Sequence, residues 1–141
     1  MVIVAAISGS DGSRDVAMQA DELARAFGDE LHLVHVIEET EYTRRVERES
    51  STRETDSGSI EATAAAEATA GLDEVIGDHE VVSRVGNPNK SVVGYADEVD
   101  ARYLVLGGRS RSPTGKALFG SVTQSILLNT ERPVVTVTGA E

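Results

Sequence analysis

Short apolar runs alternate with helical patterns along this chain. The runs are almost continuously apolar, as expected of strands buried on both faces of a sheet. Between them, apolar residues recur at the three- and four-residue spacing of an amphipathic helix. This alternation predicts an α/β fold in which helices cover both faces of a parallel sheet. The predicted strands are residues 2–7, 31–37, 80–85, 102–106 and 133–138.

Four helices are predicted between these strands. They cover residues 16–27, 60–76 and 92–99, and a last helix ends near Asn129. Segment 38–59 interrupts the pattern, because it is rich in Glu, Arg, Thr and Ser and has no sustained apolar period. Such a segment has little apolar surface to bury, so we predict a long mobile loop with at most one helical turn, near residues 42–46.

The composition limits the classes of protein to consider. At 141 residues the chain has the length of one ordinary domain, and we treat residues 1–141 as a single domain. Cysteine is absent, which excludes disulfides and thiol chemistry. The first residues lack a signal-peptide pattern, and no apolar run has the length of a membrane span. We therefore expect a soluble, cytoplasmic protein that does not bind membranes.

The charge balance is strongly acidic. There are 24 Asp and Glu against 13 Lys and Arg, for a net charge of −11. A surface of this sign repels nucleic acid, so we expect no nucleic-acid partner. The acidic excess also suits a high-salt cytoplasm, where screening weakens self-repulsion. The alternative is a moderately acidic protein from an ordinary cytoplasm.

The loop after the fourth predicted strand carries the clearest functional signal. Residues 107–123 read G-G-R-S-R-S-P-T-G-K-A-L-F-G-S-V-T, a Gly/Ser-rich loop with cations that leads into a helix. A helix start with free N–H groups attracts anions, and glycine lets a phosphate approach the backbone. The spacing matches neither a P-loop nor a dinucleotide-binding G-x-G-x-x-G motif. The alternatives are a surface loop whose glycines only form turns, and cations that are ordinary surface charge.

Other candidate chemistry is weaker. His32 and His35 are three residues apart on a strand, so their side chains face opposite sides and cannot chelate one metal ion. Asp11 and Asp15 could approach a ligand or its Mg²⁺, although Asp15 more simply complements a helix N-terminus. No serine lies in a G-x-S-x-G elbow.

The chain resembles the universal stress protein family over nearly its whole length. ATP-binding members carry G-2x-G-9x-G-[ST], and the same spacing here joins Gly107, Ser110, Gly120 and Ser121, with serine in place of the second glycine. Residues 120–137, the pair His35-Val36 and residues 85–88 are further similarities. The resemblance implies a Rossmann-like sandwich, similar to adenine nucleotide alpha hydrolases, with strand order 3-2-1-4-5. It also implies a homodimer formed through residues 133–138.

The resemblance further implies an adenine-nucleotide site. Phosphates would lie on the backbone of the helix start, and adenine near the ends of the first two strands. The family normally has an acidic residue where this chain has Ser8. The implied ligand is ATP or AMP, with or without Mg²⁺. The implied binding residues are Ala6, Ser8, Val36, Gly107, Gly108, Arg109, Ser110, Gly120, Ser121, Val122 and Thr123.

Three functional hypotheses follow. The first is a dimeric stress-response protein that uses an adenine nucleotide as a regulatory ligand and meets an unknown protein partner. The second is a dimeric interaction or chaperone-like module of the same fold, with a degenerate pocket that binds no nucleotide. The third is an adenine-nucleotide domain similar to electron-transfer flavoproteins. No residue pattern supplies a base that would position water, so any catalysis would be slow ATP hydrolysis at most.

Overall fold

A computed structural model describes residues 1–10, 12–52, 59–108 and 120–138, with only the backbone at 50–52. Its strands are β1 (Val2–Ala6), β2 (Glu30–Ile37), β3 (Glu80–Val85), β4 (Tyr103–Gly107) and β5 (Val134–Val137). Its helices are α1 (Ser13–Phe27), α2 (Glu39–Thr52), α3 (Ile60–Ala68), α4 (Pro88–Glu98) and α5 (Ser121–Asn129), with a 3₁₀ turn at Leu72–Glu74.

The strands form one parallel sheet in the order β3-β2-β1-β4-β5, as predicted. The central strand β1 is in register with both neighbours, so that Ala5 lies beside Leu33 on one side and Val105 on the other. All three residues are completely buried. This two-sided burial explains why the strand sequences are continuously apolar.

Two apolar cores lie on opposite faces of the sheet. Ile3 and Ala5 of β1 face α1 and the 3₁₀ turn, whereas Val2 and Val4 face α4 and α5. Successive side chains of a strand point to opposite faces, so one strand supplies both cores. Helices therefore cover both faces, as the sequence predicted.

Segment 38–59 differs from the prediction of a loop. Most of it forms α2, and charged side chains make several contacts within this helix and with α3. The Glu41 carboxylate accepts hydrogen bonds from Arg44 and Arg45 at 2.7 and 3.0 Å, and Arg45 also donates to Glu67 of α3 at 3.0 Å. Such pairs three and four residues apart stabilise a helix without an apolar stripe. Residues 53–58 lie outside the described part, and mobility of this segment stays a prediction.

The second predicted helix is also shorter than expected. It ends at Ala68, and the chain then turns through Gly71, whose φ of 83° suits glycine. The apolar residues predicted to continue the helix instead reach the core from the 3₁₀ turn and the segment after it, through Leu72 and Ile76. Among the helices of the described ranges, none is long and apolar enough to cross a membrane.

Candidate functional site

A cavity of about 730 Å³ opens at the carboxyl ends of β1, β2 and β4. In the sheet, β1 lies between β2 and β4, so β2 and β3 lie on one side of β1 and β4 and β5 on the other. Open α/β sheets bind ligands in the crevice beyond the strand ends at such a switch in strand order. The lining includes nine of the residues singled out from the sequence: Ala6, Ser8, Val36, Gly107, Gly108, Gly120, Ser121, Val122 and Thr123. Arg109 and Ser110, also predicted there, lie outside the described residues, as does Asp11.

The loop between β1 and α1 forms one wall of the cavity. Ser13 is buried, and its Oγ accepts hydrogen bonds from the backbone N–H groups of Ser8 and Gly9 at 3.2 and 3.0 Å. Gly9 has a φ of 87°, a conformation that favours glycine. The Ser8 hydroxyl is exposed and lies 2.9 Å from the hydroxyl of Ser10. Ser13 therefore holds the loop backbone and leaves the Ser8 side chain at the cavity surface.

The start of α5 forms the opposite wall. Gly120 is extended, with φ −67° and ψ 164°, and provides no side chain to cap the helix. The first intrahelical hydrogen bond runs from the N–H of Gln124 to the carbonyl of Gly120. The N–H groups of the preceding helical residues have no partner within the helix, which is the general condition for anion binding at a helix start.

Thr123 anchors this helix start to the sheet. Its Oγ1 donates a hydrogen bond to the carbonyl oxygen of Gly107 at 2.7 Å, and the residue is 9% exposed. The hydroxyl proton is therefore used within the protein. This contact places the N-terminus of α5 directly beside the end of β4.

His35 is a cavity residue that the sequence reasoning missed. It is half-buried, lines the cavity, and its Nδ1 donates to the carbonyl oxygen of Ile7 at 2.8 Å. In the neutral form this leaves Nε2 as an acceptor. In the sequence, the spacing of His35 from His32 bears on metal chelation and the pair His35-Val36 is a family similarity, but neither feature indicates a cavity residue. His32 contacts Tyr95 on the α4 face, so the two histidines do not share one face of β2.

Other missed residues have weak signals in the sequence. Ser10, Ser13 and Glu38 come from ordinary loop and cap positions, and Pro88 and Val92 from the start of α4. Glu38 is exposed and adds a carboxylate to the cavity rim. Asp15 lies in the first turn of α1, where a negative charge complements the helix dipole.

Comparisons with known proteins place this geometry in a family. A sequence profile of the Universal stress protein family matches residues 1–138. A universal stress protein from Mycolicibacterium smegmatis is 51% identical over 41 residues, covering 29% of this chain and 32% of that protein. The stress response protein NhaX of Bacillus subtilis is 31% identical over 72 residues, covering 51% of this chain and 43% of that protein. The chain thus matches less than half the length of these curated relatives.

Solved structures match over more of the chain. A universal stress protein from Archaeoglobus fulgidus has a TM-score of 0.64 and 30% identity, covering 96% of this chain and 97% of that one. A universal stress protein from A. fulgidus in complex with dAMP has a TM-score of 0.60 and 25% identity, with 96% of each chain covered. A universal stress protein in complex with cAMP has a TM-score of 0.61 and 25% identity, covering 98% and 96%. The profile match over nearly the whole chain, on a sheet of the predicted strand order, shows that this chain belongs to the universal stress protein family.

Proposed function

We propose that the protein is a stress-response protein that binds an adenine nucleotide, ATP or AMP, in the cavity at the carboxyl edge of the sheet. The observation that carries the proposal is the start of α5, which faces this cavity at the switch in strand order and has no side-chain cap among the described residues. A volume of about 730 Å³ lies within the range usual for small-molecule and cofactor sites. The related structures that hold dAMP and cAMP support the same ligand class.

Different residues of the cavity lining suit the phosphates and the base of a nucleotide. The backbone at Gly120, Ser121 and Val122 offers N–H groups for phosphate, and Gly107 and Gly108 lie beside them in the cavity lining. Ala6 and Val36 give an apolar surface for the base. Arg109 and Ser110 complete the proposed phosphate loop on the strength of the family resemblance. Mg²⁺ would accompany ATP more readily than AMP, because it bridges adjacent phosphates.

Ser8 and Thr123 take smaller parts in this proposal. Ser8 offers a neutral hydroxyl to the nucleoside where relatives of the ATP-binding type carry an acidic residue. The Thr123 hydroxyl donates its hydrogen bond to the Gly107 carbonyl, so it positions the phosphate-binding backbone rather than donating to the phosphate. Nucleotide binding is regulatory in this proposal, and hydrolysis would be slow at most. The protein would act in the cytoplasm on a protein partner whose identity is open.

Calorimetric titration of ATP, and then AMP, tests the site. The informative variant is Ser121→Glu, because a carboxylate in the first turn of α5 suits the helix dipole but repels phosphate. Its control is Ser121→Gln, which has nearly the same size and no charge. We expect saturable binding to the native protein and to the Gln variant, and a loss of about tenfold or more in the Glu variant. Absence of binding to the native protein, or equal binding to both variants, would contradict the proposal.

We also propose a homodimer formed through β5, the last strand of the sheet. In β5 the carbonyl groups of Pro133 and Val137 face β4, so the intervening N–H of Thr136 points to the open edge. Within the described part of the chain no strand pairs with this edge, and a strand edge of this kind favours pairing with a second chain. Thr136→Pro removes that N–H and should give a monomer in light scattering, whereas Thr136→Val should remain a dimer.

The interaction-module hypothesis keeps one supporting observation. Leu128 of α5 is 78% exposed, and Val122 and Leu127 of the same helix are 42% and 38% exposed. Exposed apolar residues on one helix suit a protein contact. A dimer that gives no heat and no thermal shift with any adenine nucleotide would favour this second function.

A further inference from the structure

A second group of polar side chains lies at the amino edge of the sheet, away from the cavity. Glu30 and His32 of β2 and Glu80 of β3 bring ligand-type atoms within 4.8 Å of one another. Glu30 and His32 are two residues apart on one strand, so they share a face. His32 and Glu80 are register partners on neighbouring strands, which places Glu80 beside the same imidazole.

The imidazole of His32 is held in place on the protein side. The residue is 7% exposed, and its Nδ1 lies 2.6 Å from the hydroxyl oxygen of Tyr95 on α4. In the neutral tautomer with the proton on Nδ1, the ring donates to Tyr95 and presents the Nε2 lone pair on the other side. A hydrogen bond to the second ring nitrogen is the usual way in which proteins orient a metal-binding histidine.

The other ring nitrogen faces two carboxylates. Nε2 lies 3.0 Å from Glu80 Oε2 and 3.2 Å from Glu30 Oε1. A nitrogen lone pair and two anionic oxygens repel one another unless a proton or a metal ion lies between them. The glutamate side chains are 71% and 68% exposed, so both can adjust their position while the buried imidazole stays fixed.

The distances also fit a metal ion. Two ligands of a tetrahedral zinc ion, each at about 2.0–2.1 Å, are roughly 3.3 Å apart. The observed separations of 3.0 and 3.2 Å differ from this by only a few tenths of an ångström. One imidazole with two carboxylates suits zinc and similar transition metals, whereas magnesium and calcium prefer oxygen ligands alone.

We propose that Glu30, His32 and Glu80 form a zinc site with three protein ligands and a fourth position open to water. The ion joins the edge strand β3 to β2 and, through His32 and Tyr95, to α4. The site is independent of the proposed nucleotide site, because the two lie at opposite edges of the sheet. The position of the site indicates its role. A bound ion stabilises the packing of β3 against β2 and α4, because it binds the native state.

The experiment is a titration of the tag-free, metal-stripped full chain with Zn²⁺, followed by calorimetry and thermal unfolding. We expect one equivalent to bind and to raise the unfolding temperature. Glu80→Gln should weaken binding by about tenfold or more, because it replaces an anionic ligand at an exposed position without changing its size. Co²⁺ should give the visible absorption of a low-symmetry, four-coordinate site in the native chain and lose it in this variant.

His79→Gln provides the matched control. The Nε2 of His79 faces one carboxylate, Asp73, at 3.3 Å. This variant should keep the full affinity for Zn²⁺, which separates a defined site from general attraction of cations to an acidic protein. The proposal is overturned if the native chain binds no zinc at micromolar levels, or if Glu80→Gln and His79→Gln bind it equally.

Discussion

The two edges of the sheet are held by different kinds of interaction. At the amino edge, the Asp29 carboxylate receives the Arg102 guanidinium at 2.6 Å and the chain's terminal amine at 3.2 Å, and its side chain is only 2% exposed. At the carboxyl edge, neutral groups hold the loops: Ser13 accepts from two backbone N–H groups, and Thr123 donates to Gly107.

This difference affects what each edge can bind. The charge of Asp29 is paired with Arg102 and the terminal amine, so this part of the amino edge stabilises the fold rather than offering charges to a ligand. The hydroxyl groups of Ser13 and Thr123 fix the backbone at the carboxyl edge without adding charge. No side chain of the described residues caps the start of α5, which suits the proposed anion site. The proposed nucleotide site and the ion pairs of Asp29 thus lie at opposite ends of the strands.

The largest expected effect is that of salt on the unfolding temperature. Salt distinguishes the repulsion among the charges of the whole chain from the attraction within local ion pairs. With a net charge of −11, screening by concentrated KCl should reduce self-repulsion more than it weakens the partly buried pair of Asp29 and Arg102. We expect molar KCl to raise the unfolding temperature by about 10 °C or more. Thermal unfolding at several KCl concentrations checks this, and an unfolding temperature that does not change with salt would contradict adaptation to a high-salt cytoplasm.

Asp29→Asn tests the amino edge. The hydrogen bond from Arg102 is the main reason why the pKa of Asp29 lies below its usual range, and the terminal amine adds to it. The variant should unfold about 5–10 °C lower near neutral pH. A lowered pKa gives stability that is complete above the ordinary carboxyl range and disappears as pH falls through the folded-state value, so the two proteins should converge below about pH 4.

The control for that measurement is Glu131→Gln, which removes an exposed carboxylate. Its unfolding temperature should differ little from that of the native protein at any pH. A difference between Asp29→Asn and the native protein that does not depend on pH would mean that packing, not charge, holds this edge.

Ser13→Ala tests the carboxyl edge. Removing Oγ leaves the N–H groups of Ser8 and Gly9 without this partner, which should lower the unfolding temperature by about 3–6 °C. The loss should stay the same between pH 4 and 8, in contrast to the effect at Asp29. Ser10→Ala is the control, because the Ser10 hydroxyl is exposed and its loss should have little effect.

Gly107→Ala gives the smallest expected effect and tests the close packing below the cavity. An added Cβ would lie 3.2 Å from Cγ2 of the buried Val16, so we expect a loss of about 2–4 °C. Val16→Ala in the same chain should relieve this contact, and the two effects should therefore not be additive. Gly94→Ala, where a Cβ meets nothing within 4 Å, should instead stabilise α4.

Much of the fold could be predicted because its signals are local. Continuous apolar runs located the strands, and the Gly120-Ser121 pair marked the start of α5. Hydrophobic periodicity did not reveal α2, because its stabilising contacts include an ion pair between Arg45 and Glu67 of a different helix. It also missed His35, because the partner of its imidazole is the carbonyl of Ile7, which follows β1 and is distant in the sequence.

The sequence by itself determined the order of strands and helices, since hydrophobic periodicity and helix-starting residues act over a few neighbouring positions. The family's motif spacing also pointed to the residues around the start of α5. Only the tertiary structure decided how distant residues meet. It opened the cavity between β1 and α5, buried Asp29 beside Arg102, and placed Glu80 against His32. These contacts depend on strand register and helix packing, which no single segment specifies alone.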